Sequence, residues 1–357
     1  MLALHDLHTR LGGHFVALNG FEVVEDYGDA STEYHALCET AGVFDLSFRS
    51  RVCLLGADRQ KFLNGQVTNN VKDLKPGEGC YAALITAKGK MQSDLRVFCL
   101  EEELLLDFEP GLTGLVTERL EKYVIADDVQ IIDVAAHYGL LSVQGPRAAD
   151  LIGALNLEIA VPSKPFEHTR IADTVLGEIY LANVARLGTS GLDCYVPVAS
   201  MEKAVELLVK NAPAIGARVC GWNAFEMGRV EQGIPRFGAD MNETNLPPEA
   251  GLDRTAVSYT KGCYIGQEVI ARIRTYGQVA KKLCRLQLKS VARLPEKGAK
   301  LFLNGKEVGY ITSAIQLPSS NFVGLGFIRR EANQTGTELT IGSPEAPQGK
   351  ADILAAV

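Results

Sequence analysis

The run Lys261-Gly262-Cys263-Tyr264-Ile265-Gly266-Gln267-Glu268 sets an ammonium, a thiol, a phenol, an amide and a carboxylate within eight residues. A cation beside a cysteine favours its thiolate, the form that attacks an electrophile or binds a metal. Gly262 allows another backbone or a ligand to come close. On this chemistry Cys263 has three open roles: nucleophile, transient metal ligand or redox handle. A buried structural thiol is the plain alternative. Tyr81 and Tyr264 can stack on a flat ring, and packing accounts for each equally well. Gln267 and Glu268 read as supports for the loop.

The remaining thiols and imidazoles carry less. Eight cysteines stand at 38, 53, 80, 99, 194, 220, 263 and 284, and none forms a C-x-x-C pair. That spacing excludes a zinc ribbon, a ferredoxin-like cluster site and a disulfide framework. Cys38, Cys53, Cys80, Cys99 and Cys194 sit among apolar neighbours and read as small core residues. Reduced thiols in a reducing cytosol are the expectation. His5, His8, His14, His35, His137 and His168 have neither triad-like nor metal-like spacing. His35 lies on a helical stretch, Ser31 to Thr40, and reads as an ordinary core or surface residue. Gly12-Gly13 is no phosphate loop.

These residues need elements to hold them, and 357 residues suit two or three domains. Hydrophobic residues at 46% and charged ones at 22% are ordinary for a globular chain. A net charge of -7 argues against sequence-independent nucleic-acid binding, which needs a basic footprint. The first residues lack a basic stretch followed by an apolar one, so no secretory signal is expected. No apolar run is long enough for a bilayer. A protein that stays in the cytoplasm is the expectation.

The pattern of elements is mixed, α+β. Arg51 to Leu55 reads as a strand, and Ala57 to Val67 as a helix opened by Asp58. Tyr81 to Thr86 and Met91 to Leu100 read as a hairpin turning at Gly89. Leu104 to Phe108 continues as a strand. Thr113 to Ile125 has helical periodicity. Val129 to Val134 and Leu140 to Gln144 are strands, and Gly145-Pro146 opens a helix through Leu155. Tyr180 to Leu187 and Leu192 to Val198 read as a hairpin; Met201 to Lys210 and Trp222 to Gly233 as helices. From Ala280 the character changes. Leu283 to Leu288, Lys300 to Leu303, Glu307 to Ala314 and Phe322 to Ile328 are short strands, with Asn304-Gly305 as a hairpin turn. This tail reads as a small all-β barrel or sandwich. Asp240 to Leu252, rich in Asn, Pro, Glu and Gly, reads as a linker.

The Lys261 to Glu268 run, followed by Ala271-Arg272 and Gly277, resembles the K-G-C-Y-x-G-Q-E signature of the YgfZ family. These are folate-binding proteins related in fold to the T-protein of glycine cleavage and linked to the upkeep of iron–sulfur enzymes. Residues 41–47, AGVFDLS, and 62–71, FLNGQVTNNV, are similar to T-protein stretches near the start of that chain. Residues 246–252, LPPEAGL, resemble the P-x-E-A-G-L run. Val308 to Ser313 and Gly324 to Phe327 are similar to the barrel strands. The resemblance implies a three-domain cloverleaf of the aminomethyltransferase type around a central folate channel, with a C-terminal all-β barrel. The expected domains are 1–51 plus 139–219, 52–138 plus 220–278, and 279–357.

The resemblance also implies roles. Asp94 sits where the T-protein has two adjacent carboxylates; here Ser93 replaces one. A carboxylate there orients the folate amine or shares its proton; a solvated strand acid is the equal alternative. Asp193, in Gly191-Leu192-Asp193, matches a glutamate in the T-protein's G-F-E, and a carboxylate accepts the paired N–H groups of a pterin edge. The alternative is an exposed acid alternating on a half-buried strand. Arg229 and Glu231 resemble an R-x-E-x-G pattern. Arg229 suits an anionic folate tail or the pterin carbonyl, with a surface salt bridge as alternative. Lys261 can pair with a folate carboxylate. Catalytic candidates are thus Cys263, Asp94 and Lys261; tetrahydrofolate-binding candidates are Asp193, Arg229, Tyr81 and Tyr264.

Three functions follow as expectations. The first is a YgfZ-like factor that binds tetrahydrofolate, or a one-carbon-substituted form, and supports assembly or repair of iron–sulfur enzymes, with client or assembly proteins as partners. The second is an aminomethyltransferase moving a one-carbon unit from a lipoyl-bound amine to tetrahydrofolate. The third is a folate-sensing scaffold that binds without turnover. The Lys261 to Glu268 signature favours the first, and Ser93 weakens the second.

Overall fold

Period-two alternation of apolar side chains drives most of the regular structure of this chain into antiparallel strands, and the computed structural model shows where they pair. It describes every residue except 1, 156, 158, 159 and 344. Two compact units result. Residues 1–82 and 94–228 form the first, residues 83–93 and 229–357 the second.

In the first unit a six-stranded sheet runs His168–Asp173, Gly177–Asn183, Gly191–Pro197, Tyr138–Gln144, Gly42–Asp45, Arg218–Val219. Its neighbours are antiparallel except the last pair. Leu141, Val143, Leu192, Cys194 and Val196 share one face. They pack with Leu151 and Ile152 of helix Ala148–Gly153 and with Ala204, Val205 and Leu208 of helix Met201–Asn211. Strand geometry sends Ser142, Gln144, Asp193 and Tyr195 to the other face, and all four are buried there too. A second sheet faces them, in the order Gly79–Ile85, Met91–Cys99, Leu104–Phe108, Ser50–Leu55, Gln130–Asp133. Contacts such as the ring of Phe98 against that of Tyr195, at 5.9 Å, join the two. Sheet therefore packs on sheet, but with polar side chains in the layer between.

Some expected elements are shorter than their periodicity suggests. The helix read over Thr113 to Ile125 ends at Glu121. Tyr123 and Val124 close tight turns onto Leu120 and Glu121, and Ile125 is 90% exposed, so burial gives the last turn no support. The helix read from Gly145 begins at Ala148. Gly145 has φ +125, and a Cβ there would lie 2.7 Å from the Leu37 carbonyl oxygen. It is a tight approach preceding the helix, not its first turn. An N-terminal hairpin, His14–Leu18 with Phe21–Asp26, was not legible in the sequence pattern.

The second unit centres on a closed six-stranded barrel: Lys281–Lys289, Phe322–Arg329, Lys306–Gln316, Lys300–Leu303, Glu338–Ser343, Ala346–Ala356. The four strands read from sequence are there, and two C-terminal ones complete the closure, which leaves no open sheet edge. Leu286, Leu301, Ile311, Ile328, Ile341 and Ile353 fill it. Asn304 and Gly305, at φ +50 and +79, make the expected tight turn. The segment read as a linker, 240–252, is instead packed. Asp240, Asn245, Pro247, Pro248 and Glu249 are buried, and the Glu249 carboxylate accepts from the Leu246 backbone N–H at 3.1 Å and Asn245 Nδ2 at 3.2 Å. Turn residues here satisfy a buried loop, not a solvated one. Of the cysteines read as core, Cys53, Cys99 and Cys194 are buried, while Cys38 is exposed and Cys80 half-buried. Among the described residues, no helix is long and apolar enough to cross a membrane.

Candidate functional site

Five strand segments of the first unit each offer polar side chains two residues apart. Arg49 and Arg51 flank the start of Ser50–Leu55. Asp94 and Arg96 lie on Met91–Cys99, and Asp107 and Glu109 at the end of Leu104–Phe108. Ser142 and Gln144 lie on Tyr138–Gln144, and Asp193 and Tyr195 on Gly191–Pro197. The register places Asp107 directly between Arg51 and Arg96. Cross-strand neighbours of opposite charge attract, and here the attraction is completed from the opposite sheet.

Asp107 is fully buried. It accepts from Arg49 Nε at 2.7 Å and from Arg186 Nη2 at 2.7 Å. Arg186 also forks onto Asp193, with Nε at 3.0 and 2.9 Å from its two oxygens. Ser142 Oγ donates to Asp193 at 2.8 Å, and Gln144 Nε2 to Ser142 Oγ at 2.8 Å. Arg49 Nη1 reaches Glu109 at 2.5 Å. With Arg51, Arg96 and Asp94, four arginines meet four carboxylates inside one layer. A lone charge there would cost several kcal/mol of desolvation, so the pairs are held together by the low dielectric that makes each costly alone. The titration of these groups reflects this. Burial alone pushes the Asp107 carboxyl up, but Arg186, Arg49 and Arg96 outweigh it and hold it far below the usual range.

Asp94 behaves oppositely. Burial, and then the nearby Glu109 charge, raise its carboxyl above the usual value against the pull of Arg96 and the Tyr81 hydroxyl. Tyr81 OH donates to Asp94 Oδ2 at 2.7 Å, and the Arg96 guanidinium lies 5.6 Å from the Tyr81 ring centre. A carboxyl raised by burial and fixed by a phenol is suited to sharing a proton with a bound amine. The structure thus joins two candidates, Tyr81 and Asp94, and puts Asp193 in the same polar layer. Asp94 is not a solvated strand acid, nor is Asp193 an exposed one. The Asp193 carboxylate has about four lone-pair sites; Arg186, through Nε and through Nη2 at 2.6 Å from Oδ2, and Ser142 together make four contacts with it. A side-by-side clamp on a pterin edge would therefore need Arg186 to give way.

Arg229, Lys261, Cys263 and Tyr264 belong to the second unit. Arg229 is 1% exposed, so it is no surface salt bridge. Its Nη1 donates to Asp240 at 2.7 Å and its Nη2 to Ser313 Oγ at 3.1 Å, while Thr312 and Ser313 both donate to Asp240. This pins the end of helix Trp222–Gln232 to the barrel strand Lys306–Gln316. Glu231 is half-buried. In the signature run, Cys263 is exposed while Tyr264 and Lys261 are buried, with Lys261 Nζ 5.0 Å from the Tyr264 ring centre. Burial pushes the Tyr264 phenol up to about 12. Gly266, at φ +83, is tight: a Cβ would sit 2.5 Å from the Thr86 carbonyl oxygen. It starts a helix, Gln267–Tyr276, on which the exposed Glu268 pairs with Arg272 at 2.5 Å.

Sequence reasoning missed Arg49, Arg96, Asp107, Glu109 and Arg186. The available signal was the repetition itself: charged residues two apart on several strands of one chain. It also gave no role to His8. That residue is buried with Nδ1 2.8 Å from Tyr27 OH and Nε2 2.9 Å from Asp45.

Comparison with known proteins agrees with this architecture. The family description "GCVT N-terminal domain" matches residues 4–261, and "Glycine cleavage T-protein C-terminal barrel domain" matches residues 281–355. The aminomethyltransferase of Staphylococcus saprophyticus is 27% identical over 95% of this chain and 92% of its own length. A protein of Arabidopsis thaliana named only as a chloroplastic transferase is 30% identical over 90% of this chain and 72% of its own. In fold, the chain is similar to the crystal structure of glycine cleavage system aminomethyltransferase T from Bartonella henselae. The TM-score is 0.88 at 22% identity, covering 99% of this chain and 96% of that one. With both descriptions matched along nearly its whole length, the chain belongs to the glycine cleavage T-protein family.

Proposed function

We propose that this protein binds tetrahydrofolate and transfers a one-carbon unit to it from an amine, as an aminomethyltransferase does. The observation that carries the reading is the Tyr81–Asp94 pair: a buried carboxyl, raised above its usual value, with a phenol fixing one oxygen. Whole-length similarity to proteins named aminomethyltransferase supports it. Asp94 shares the proton of the attacking or leaving amine, and Tyr81 orients it. Asp193 meets the pterin edge when Arg186 gives way, with Ser142 keeping its carboxylate in place. Arg229 acts by holding the barrel strand, and Lys261 by meeting an anionic folate tail. Among the described residues no cysteine forms a disulfide, which suits the cytoplasm.

The test is one-carbon transfer with a lipoylated partner and tetrahydrofolate. Wild type is expected to form substituted folate, with Asp94→Asn about 10²–10⁴-fold slower, the usual span for a general acid–base group. No transfer by a wild type that still binds tetrahydrofolate overturns it. Calorimetric titration of tetrahydrofolate into Asp193→Ala tests that residue, and an affinity equal to wild type removes it.

A second reading rests on one specific observation, the exposed thiol of Cys263 in the Lys261 to Glu268 run. On it, the protein is a YgfZ-like factor that uses folate binding to support iron–sulfur client or assembly proteins, and Cys263 meets the client. Restoration of iron–sulfur enzyme activity in a deletion strain separates the two. Success by Asp94→Asn with failure by Cys263→Ala favours this reading over transfer. Binding with neither activity leaves a folate-sensing scaffold.

A further inference from the structure

At one end of the layer between the two sheets of the first unit lies a cavity that the folate reading does not use. Glu109 and Asp94 lie towards one end of the paired strands. Cys53 pairs with Leu105 and Leu54 with Leu104 towards the other. Glu103 is therefore six residues along from Glu109, about 20 Å of extended chain. Here a cavity of about 230 Å³ is lined by Arg51, Cys53, Glu103, Tyr138, Tyr180 and Tyr195, among others. It shares Leu100, Glu103, Glu178 and Tyr180 with a wider cleft of about 820 Å³.

Two of these lining residues are incompletely satisfied. Arg51 Nη2 donates to the carbonyls of Ser47, Ala135 and Tyr138 at 3.1, 3.0 and 2.8 Å, which fixes the guanidinium. Its Nε and Nη1, and the hydroxyl of Tyr195, are buried with no hydrogen-bond partner among the described residues. Arg51 is 1% and Tyr195 2% exposed. Buried donors left unmade are costly, so three of them beside one cavity point to a ligand that accepts. Burial lowers the Arg51 guanidinium and raises the Tyr195 phenol.

The rest of the lining narrows the chemistry. Tyr138 and Tyr180 meet edge to face with ring centres 6.1 Å apart, a wall for a flat ring. Glu103, half-exposed, supplies a carboxylate acceptor. Glu178 is already neutralised by Arg170 and takes the Tyr180 hydroxyl. One cation and one carboxylate remain, the Glu103 carboxylate beside the Cys53 thiol, so an anion would face Glu103 and a cation would face Arg51. We propose that this cleft binds a neutral amino-oxo heterocycle of the guanine type. Its carbonyl oxygen and adjacent ring acceptor meet Arg51 and Tyr195. Its exocyclic amine and ring N–H meet Glu103, and its face lies on the tyrosine wall.

Guanosine titrated calorimetrically into the full chain tests this, with adenosine and benzoate as comparison ligands. Guanosine is expected to bind at one site per chain, and the other two at least tenfold more weakly. Tyr195→Phe and Glu103→Gln should each weaken guanosine by about tenfold, the loss of one good hydrogen bond. Tyr195→Phe should not lower the unfolding temperature of the free protein, because that hydroxyl is buried with no hydrogen-bond partner among the described residues and its removal relieves a desolvation cost. Binding should persist at saturating tetrahydrofolate. No guanosine heat at about 1 mM ligand, tighter binding of benzoate, or wild-type affinity in both variants would overturn the proposal. So would mutual exclusion with tetrahydrofolate, which would return this cleft to the folate site.

Discussion

Replacing Arg186 by methionine isolates the charge layer that joins the two sheets. Methionine keeps length and volume but removes the guanidinium that serves Asp107 at 2.7 Å and forks onto Asp193. Asp107 would retain Arg49 and the more distant Arg96, and Asp193, among the described residues, only Ser142. Breaking a buried pair while leaving its partner costs about 3–5 kcal/mol. At about 2–4 °C per kcal/mol for a unit of 150–250 residues, unfolding of the first unit should fall by about 6–20 °C at pH 7. Scanning calorimetry reads this directly. Arg186→Lys should fall between, since an ammonium cannot fork onto Asp193 and reach Asp107 together. Adding Asp193→Asn to Arg186→Met should recover part of the loss, because it removes the stranded charge. The sign with pH follows from Asp107, whose carboxyl is depressed in the folded state. Its contribution is present above the ordinary carboxylate value and is lost only as pH falls through the depressed one. Without Arg186 that depression shrinks, so the variant should lose less stability on acidification than wild type, and the loss should be complete at a higher pH. A fall under about 2 °C, or no recovery with Asp193→Asn, would show that the layer is held by packing rather than by its charges.

Three further outcomes are expected. Asp94→Asn should stabilise the protein near pH 8 and not below pH 4: a raised carboxyl favours folding below its unfolded value and penalises it as pH rises through the folded one, and asparagine removes that penalty. Melting curves across that range check it, and a stabilisation independent of pH would contradict the assignment. Gly266→Ala should cost more than about 1 kcal/mol in urea unfolding, since φ is +83 and the new Cβ would lie 2.5 Å from a carbonyl oxygen; an unchanged midpoint would contradict it. Cys263 should be labelled by a thiol reagent in the native state well before Cys53, Cys194, Cys220 and Cys284, which are buried; equal rates would show that its exposure is not what makes it accessible.

Much of the fold was legible because single-strand patterning and turn chemistry are local. Asn304-Gly305 announces its turn, Gly89 its hairpin tip, and Met201–Asn211 its apolar stripe without reference to distant chain. The misread elements failed where a local signal met a non-local fact. The apolar position 125 fits the helix period but buries nothing, and the turn-rich segment 240–252 reads as solvated although its backbone and carboxylates are satisfied inside a packed loop.

The candidate site was legible only by its members, because its chemistry comes from pairs far apart in the chain. Asp193 alternating with apolar residues on a strand reads as a solvent-facing acid until a second sheet covers that face. Covering it requires a cation at that depth, and Arg186 supplies one that also reaches Asp107, 79 residues away. A carboxylate so engaged is held by a guanidinium fork and a hydroxyl, whereas Asp94, with Glu109 nearby and a phenol as its hydrogen-bond donor, keeps a raised proton affinity. Residue type alone would make the two acids interchangeable. Their partners set them apart, one carboxylate held by an arginine fork and the other raised in proton affinity beside a phenol, and that division is a property of the sheet pairing rather than of either strand.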